Sequence, residues 1–150
     1  MGAKKYQWGS TSIERMKGID ERLMKILFRA IRISSRRIDG IDMTIPIFGG
    51  LRTSEDQNGL FLQGVTRADG YEKKSYHQTG LAIDVIPYVQ KEGIKGNAIY
   101  TKKVSPKERE LLFYKVSCCL LEAASREGVK LQWGGNWSSF KDLPHYEIRE

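Results

Sequence analysis

The chain has 150 residues, 40% of them hydrophobic and 29% charged, and a formal net charge of +7. That length favours one domain around one core, and the balance of apolar to charged residues excludes a disordered chain. No apolar run reaches the roughly 18 residues needed to cross a bilayer, so no stable membrane insertion is expected.

The surplus of positive charge predicts attraction to a polyanion. Charge alone does not choose among nucleic acid, an acidic membrane surface and an anionic cell-wall polymer. The first residues, Met1 to Gly18, include basic side chains but no apolar segment behind them. They do not read as a secretory signal, and synthesis in a cytoplasm is expected.

Asp20 is placed to cap a helix running to about residue 34. Its apolar positions Leu23, Ile26, Leu27, Ala30 and Ile31 recur at helical spacing. The densest basic cluster, Arg29, Arg32, Arg36 and Arg37, falls on this helix and its end. It lacks the interleaved aromatics of single-strand binders, and nucleic acid is not the expected partner because that reading would leave the motifs around the two histidines unexplained. Residues 41 to 48, IDMTIPIF, are β-rich, with Pro46 marking an edge or a strand end. Ser54 is expected to cap a short helix that carries Glu55, Gln57 and Leu60 and closes near Gly64. A loop follows over residues 65 to 76, then a strand over Ala82 to Ile86, then an excursion with weak signals over residues 89 to 104.

Ser105-Pro106-Lys107-Glu108 has the residue types of a capped helix start with proline in the first turn. This helix should run to about Glu127 and stop at Gly128, with Leu112, Val116, Cys119, Leu120 and Ala123 as its buried stripe. Cys118 and Cys119 are neighbours in it. Disulfide geometry does not suit such a pair, and free thiols are expected. Two β-like pieces close the chain, Val129 to Trp133 and His145 to Arg149. Strands and helices mix without a strand–helix–strand rhythm. The expected fold is α+β, a single compact domain with a small antiparallel sheet and flanking helices.

The chain has only two histidines. His77 stands in SYHQTGLAIDV, followed by Asp84 within an apolar run, and Gly80 allows a tight turn between them. A carboxylate among apolar neighbours is costly to bury alone. Either a metal ion or a cationic side chain would remove that cost. His145 closes the run Asp142-Leu143-Pro144-His145, where Pro144 keeps Leu143 out of helical conformation. His77, Asp84 and His145 are good zinc ligands by type, and Asp142 is placed to stand beside a metal-bound water without ligating. By itself the same spacing also suits a histidine packed on Trp133 or Trp137, with Asp142 solvated.

Three ordered motifs carry a resemblance. Ser75, His77, Gly80, Ala82 and Asp84 spell S-x-H-x-x-G-x-A-x-D; Trp133 to Trp137 spell W-G-G-x-W; Asp142 to His145 spell D-x-P-H. Upstream, Gly50, Arg52, Thr53, Gln57 and Leu60 spell G-x-R-T-x-x-x-Q-x-x-L. Together they resemble the peptidoglycan peptidases of the D,D-carboxypeptidase/VanY type. Within these they are most similar to phage endolysins that are L-alanyl-D-glutamate endopeptidases. The resemblance runs from about Gly18 to the end of the chain. Asn136 departs from it where many relatives have Asp, a change expected to matter little for zinc.

The resemblance implies a D,D-peptidase (Hedgehog-type) fold. Residues 1 to 150 are expected to form a single zinc peptidase domain, with little room in that length for a separate cell-wall-binding domain. It implies Zn²⁺ held by His77, Asp84 and His145, with Asp142 as general base and then acid. Arg52 would stabilise the developing oxyanion, which suits a fixed guanidinium fork. Ser75 and Gln57 would hold the substrate's peptide or carboxylate groups. Glu147 would either support His145 or stand as a solvated edge carboxylate. The implied partner is peptidoglycan and the implied state a monomer. The implied location is the host bacterial cytoplasm, with access to the wall through a holin. The rival readings are a D,D-carboxypeptidase that removes terminal D-Ala, a murein-binding zinc domain without catalysis, and a basic nucleic-acid-binding domain.

Overall fold

Two amphipathic helices supply most of the core. In the computed structural model, which describes residues 6–91, 94–96 and 104–150, a short helix α1 (Ser10–Arg15) precedes α2 (Glu21–Arg36). The Asp20 carboxylate accepts from the Arg22 backbone N–H at 2.8 Å, satisfying one of the orphan donors of the helix start. Leu23, Ile26, Leu27, Ala30 and Ile31 are all buried, as their spacing predicts. α1 was not foreseen. It has six residues and one buried position, Ser12, too few to show a period.

The 41–48 stretch forms only a three-residue strand, β1 (Asp42–Thr44). Beyond it the Gly49 N–H donates to the Pro46 carbonyl, and the chain turns. Helix α3 (Ser54–Leu62) is capped by Thr53, one residue before the expected Ser54. Thr53 Oγ1 accepts from Asp56 N, and the Asp56 carboxylate accepts from Thr53 N. A cap at Ser54 would have used Gln57 as its returning side chain, but Gln57 is drawn inward.

The expected strand over Ala82 to Ile86 divides at Val85. Its first part, β2 (Ala82–Asp84), pairs with one sheet and its second, β3 (Ile86–Lys91), with another. Strand β4 (Ile94–Gly96) follows within the 89–104 stretch, part of which lies outside the described residues. Helix α4 (Pro106–Arg126) begins as expected, with Ser105 Oγ accepting from Glu108 N. Val116, Cys119, Leu120 and Ala123 are buried along it, while Leu112 is partly buried at the core's edge. Strands β5 (Leu131–Trp133) and β6 (His145–Ile148) complete the fold. The antiparallel strands lie in two three-stranded sheets, in the orders β1-β3-β4 and β2-β6-β5.

One large apolar cluster joins α2 and α4 to both sheets, with Met43, Ile45, Ile83, Val85 and Tyr146 among its members. In β6, Tyr146 and Ile148 belong to this core. By strand alternation His145 and Glu147 share the opposite face. No helix among the described residues is long and apolar enough to cross a membrane.

Candidate active site

Each of the three possible ligands is placed by a different local device. His77 lies in a 3₁₀ turn, Tyr76–Thr79, whose start is capped by Ser75 Oγ accepting from His77 N. Gly80 ends the turn at φ +77°, the left-handed conformation that glycine adopts without a Cβ penalty. Its carbonyl accepts from Asp20 N at 2.9 Å, tying the turn to the start of α2. Asp84 closes β2 and His145 opens β6. The antiparallel register sets these two residues opposite one another.

The ligand atoms form a nearly equilateral triangle. His77 Nε2 lies 3.2 Å from His145 Nδ1. Asp84 Oδ1 lies 3.3 Å from each of these nitrogens. Zinc bonds of about 2.0–2.1 Å at tetrahedral angles require ligand atoms about 3.3–3.4 Å apart. The outward atoms are engaged as well. His77 Nδ1 faces the Gly50 carbonyl at 3.0 Å, and His145 Nε2 faces Glu147 Oε1 at 2.7 Å. Each neutral ring has one N–H, and those acceptors claim it. The inward nitrogens are then lone pairs converging with a carboxylate oxygen, an arrangement that calls for a cation. The residues fit a metal ion.

The same field shifts the protonation equilibria of these groups. Burial pushes the Asp84 carboxyl up, but His77 and His145 outweigh it and hold the group well below the ordinary carboxylate range. Burial lowers His145, yet its bonds to Asp84 and Glu147 dominate and raise it to about 9.

The run Gly49 to Arg52 threads between the ligands. The Gly49 carbonyl accepts from Asp84 N, and Arg52 N donates to the His77 carbonyl. Arg52 Nη2 donates to Asp84 Oδ2 at 3.1 Å, Nη1 to Gln57 Oε1 at 3.0 Å, and Nε to the Phe48 carbonyl at 2.6 Å. Three of the five guanidinium donors are thus engaged, and the other two have no protein partner among the described residues.

Gln57 does not fill the substrate role expected of it. It is fully buried; besides its bond to Arg52, its amide nitrogen donates to Thr66 Oγ1 and the Ala68 carbonyl. A buried amide must satisfy its own polar atoms, and here that fixes it as a support for Arg52. Ser75 does line the cleft, while its hydroxyl caps the His77 turn.

Glu147 is not a solvated edge group. It is buried, accepts from Arg149 Nε at 2.6 Å and holds His145 from behind. Trp137 packs on His145 with ring centroids 5.3 Å apart and the planes tilted by 50°, so the histidine both contacts a tryptophan and faces the metal position.

Asp142 stands exposed on the wall of a cleft of about 710 Å³ that also contains His77, Asp84 and His145. Its backbone N–H donates to the Gly134 carbonyl, and its carbonyl accepts from His145 N. A Cβ on Gly134 would lie 2.3 Å from the Asp142 carbonyl oxygen, so the first glycine of W-G-G-N-W permits this approach. Partial desolvation of the Asp142 carboxyl within the cleft, and then the charge of Asp84, raise its pKa against the pull of His145, His77 and Arg52.

Residues 69–148 match the D-alanyl-D-alanine carboxypeptidase family model of the M15 peptidases. The chain belongs to this family. The matched span holds His77, Asp84, Asp142 and His145, while Arg52 and Gln57 precede it. Among characterised relatives, the peptidoglycan L-alanyl-D-glutamate endopeptidase CwlK of Bacillus subtilis is 34% identical over 116 residues. That match takes in 73% of this chain and 62% of CwlK, so the chain spans less than two thirds of that relative's length. The crystal structure of the Serratia marcescens L-Ala D-Glu endopeptidase ChiX superposes with a TM-score of 0.70 at 22% identity, over 95% of this chain and 90% of ChiX. The M15 peptidase fold therefore accounts for the helices and the two small sheets.

Gly50 was marked in the sequence as the first residue of G-x-R-T-x-x-x-Q-x-x-L, but nothing there pointed to its backbone carbonyl as the partner of His77. Trp137 was marked as the last residue of W-G-G-N-W.

Proposed function

We propose that this M15 family member is a zinc-dependent endopeptidase that hydrolyses the L-alanyl-D-glutamate bond of the peptidoglycan stem peptide. The observation that carries the reading is the convergence of His77 Nε2, Asp84 Oδ1 and His145 Nδ1 at 3.2–3.3 Å in a cleft that also presents Asp142. The choice of bond rests on the likeness to CwlK.

Bound by His77, Asp84 and His145, zinc would supply a Lewis acid that polarises the scissile carbonyl and acidifies water. Asp142 takes the proton of the attacking water and returns it to the departing amine. Arg52, with two N–H groups that have no partner among the described residues, donates to the oxygen on which charge develops, while its bond to Asp84 keeps it in place. Glu147 and the Gly50 carbonyl hold the two imidazoles in the orientation that directs a lone pair inward.

The basic charge favours encounter with anionic murein. A lytic role of the phage endolysin kind, reached through a holin from the host cytoplasm, is the finer form of this proposal and rests on motif resemblance. The D,D-carboxypeptidase reading is kept by the description of the family model. Digestion of purified murein separates the two. New D-Glu N-termini with little free D-alanine support the endopeptidase; stoichiometric D-alanine with no new D-Glu termini would reverse the assignment.

A further inference from the structure

Four cations line the cleft without a carboxylate partner among the described residues: Arg67, Lys73, Lys74 and Lys141. The acidic groups that line it are Asp84, Asp142 and Glu147, all belonging to the centre described above. Away from that centre the cleft is therefore a basic surface, suited to an anionic part of the substrate.

Among the described residues, Arg67 is set apart from the other three by a ring contact. Its guanidinium carbon sits 3.2 Å from the centroid of the Phe140 ring. The two come from separate segments: Arg67 follows α3, and Phe140 lies two residues before Asp142. Stacking engages the face of the guanidinium and leaves its N–H edge available, the fork that fits a carboxylate in bidentate fashion. Phe140 is 62% exposed and has a φ of +57°, uncommon for a residue with a side chain. An exposed aromatic in that conformation gains little core burial, and its visible contact is Arg67.

The scissile bond of the proposed reaction has a glutamyl residue on the amine side. One carboxyl of that residue continues the chain. The other is free, and it lies within a few bonds of the nitrogen that departs. We propose that Arg67, seated on Phe140, binds this free carboxylate, so that the enzyme discriminates against stem peptides in which it is amidated. The inference rests on the L-alanyl-D-glutamate reading above and adds a specificity-determining residue to it. Lys73, Lys74 and Lys141 strengthen the local field without fixing geometry.

The test uses two muropeptides that differ only in a carboxylate or a carboxamide at this position. kcat/KM is measured for each with the wild type, Arg67→Gln, Arg67→Lys and Phe140→Leu. The wild type should prefer the acid by about tenfold or more, as one charge-assisted hydrogen bond provides. Arg67→Gln should bring the ratio close to one by slowing cleavage of the acid while leaving the amide almost unchanged. Arg67→Lys should restore part of the ratio, and Phe140→Leu should lose part of it. A loss of folding would slow both substrates alike and would not change the ratio. Equal cleavage of the two by the wild type, or an undiminished preference in Arg67→Gln, overturns the role of Arg67 and leaves the endopeptidase reading standing. Cleavage of neither substrate at the alanyl–glutamyl bond overturns both.

Discussion

Asp84 and His145 are opposed across antiparallel strands β2 and β6, with Oδ1 and Nδ1 3.3 Å apart. Two of the three ligand positions are therefore set by strand register. A slip of one residue would turn Asp84 to the opposite face and dismantle the centre. His77 completes the site from a capped turn that does not depend on the sheet's hydrogen bonds.

The first prediction concerns the metal. Purified protein should carry about one zinc ion per chain, as three protein ligands and an open position imply. Elemental analysis should show the metal lost in His77→Ala and in His145→Ala, and chelation should abolish hydrolysis. Full activity in metal-free protein would end the zinc reading.

Asp142→Asn should keep the metal and fall in kcat by about 10²- to 10⁴-fold, the range for a general acid–base group. Asp142 is outside the ligand triangle, so metal content and turnover should separate in this variant. Wild-type turnover would move the proton transfer to another group.

Gln57 gives a test of support against substrate binding. Gln57→Leu removes the acceptor for Arg52 and leaves the Ala68 carbonyl and Thr66 hydroxyl without their donor. Urea unfolding should show a loss of about 1–3 kcal/mol, the cost of unmet buried polar groups. Gln57→Glu retains an acceptor for Arg52 and should therefore retain more turnover than Gln57→Leu. A variant of unchanged stability with only a raised KM would restore the substrate role.

Gly134→Ala places a methyl group 2.3 Å from the Asp142 carbonyl oxygen, so the Asp142 segment must move. Overpacking of this kind costs about 1–3 kcal/mol. Turnover should fall while zinc remains bound, because the glycine touches the Asp142 segment and not the ligands. Titration of metal content against kcat checks this.

The parts legible from sequence are those whose causes are local. Asp20 and Ser105 mark their helix starts because a cap acts on a backbone N–H two or three residues away. The stripes of α2 and α4 follow from periodicity within a single element. His77, Asp84, Asp142 and His145 stood out by residue type and order. Thr53 displaced Ser54 as a cap because Gln57, the residue that would have completed a box with Ser54, is engaged by Arg52, Thr66 and Ala68.

By itself the sequence determined the two long helices, the α+β class and the identities of the residues at the centre. Only the tertiary structure decided what each polar atom touches. His77 meets the Gly50 carbonyl across 27 positions, Arg52 meets Asp84 across 32, and His145 meets Asp84 across 61. It also decided that Gln57 faces inward, that Glu147 holds an imidazole, and that Arg67 stacks on Phe140. The physical reason is range. Capping and periodicity act over a few residues of one chain segment, whereas the desolvation of a buried polar group must be met by whichever partner the packing of distant segments brings within hydrogen-bond reach.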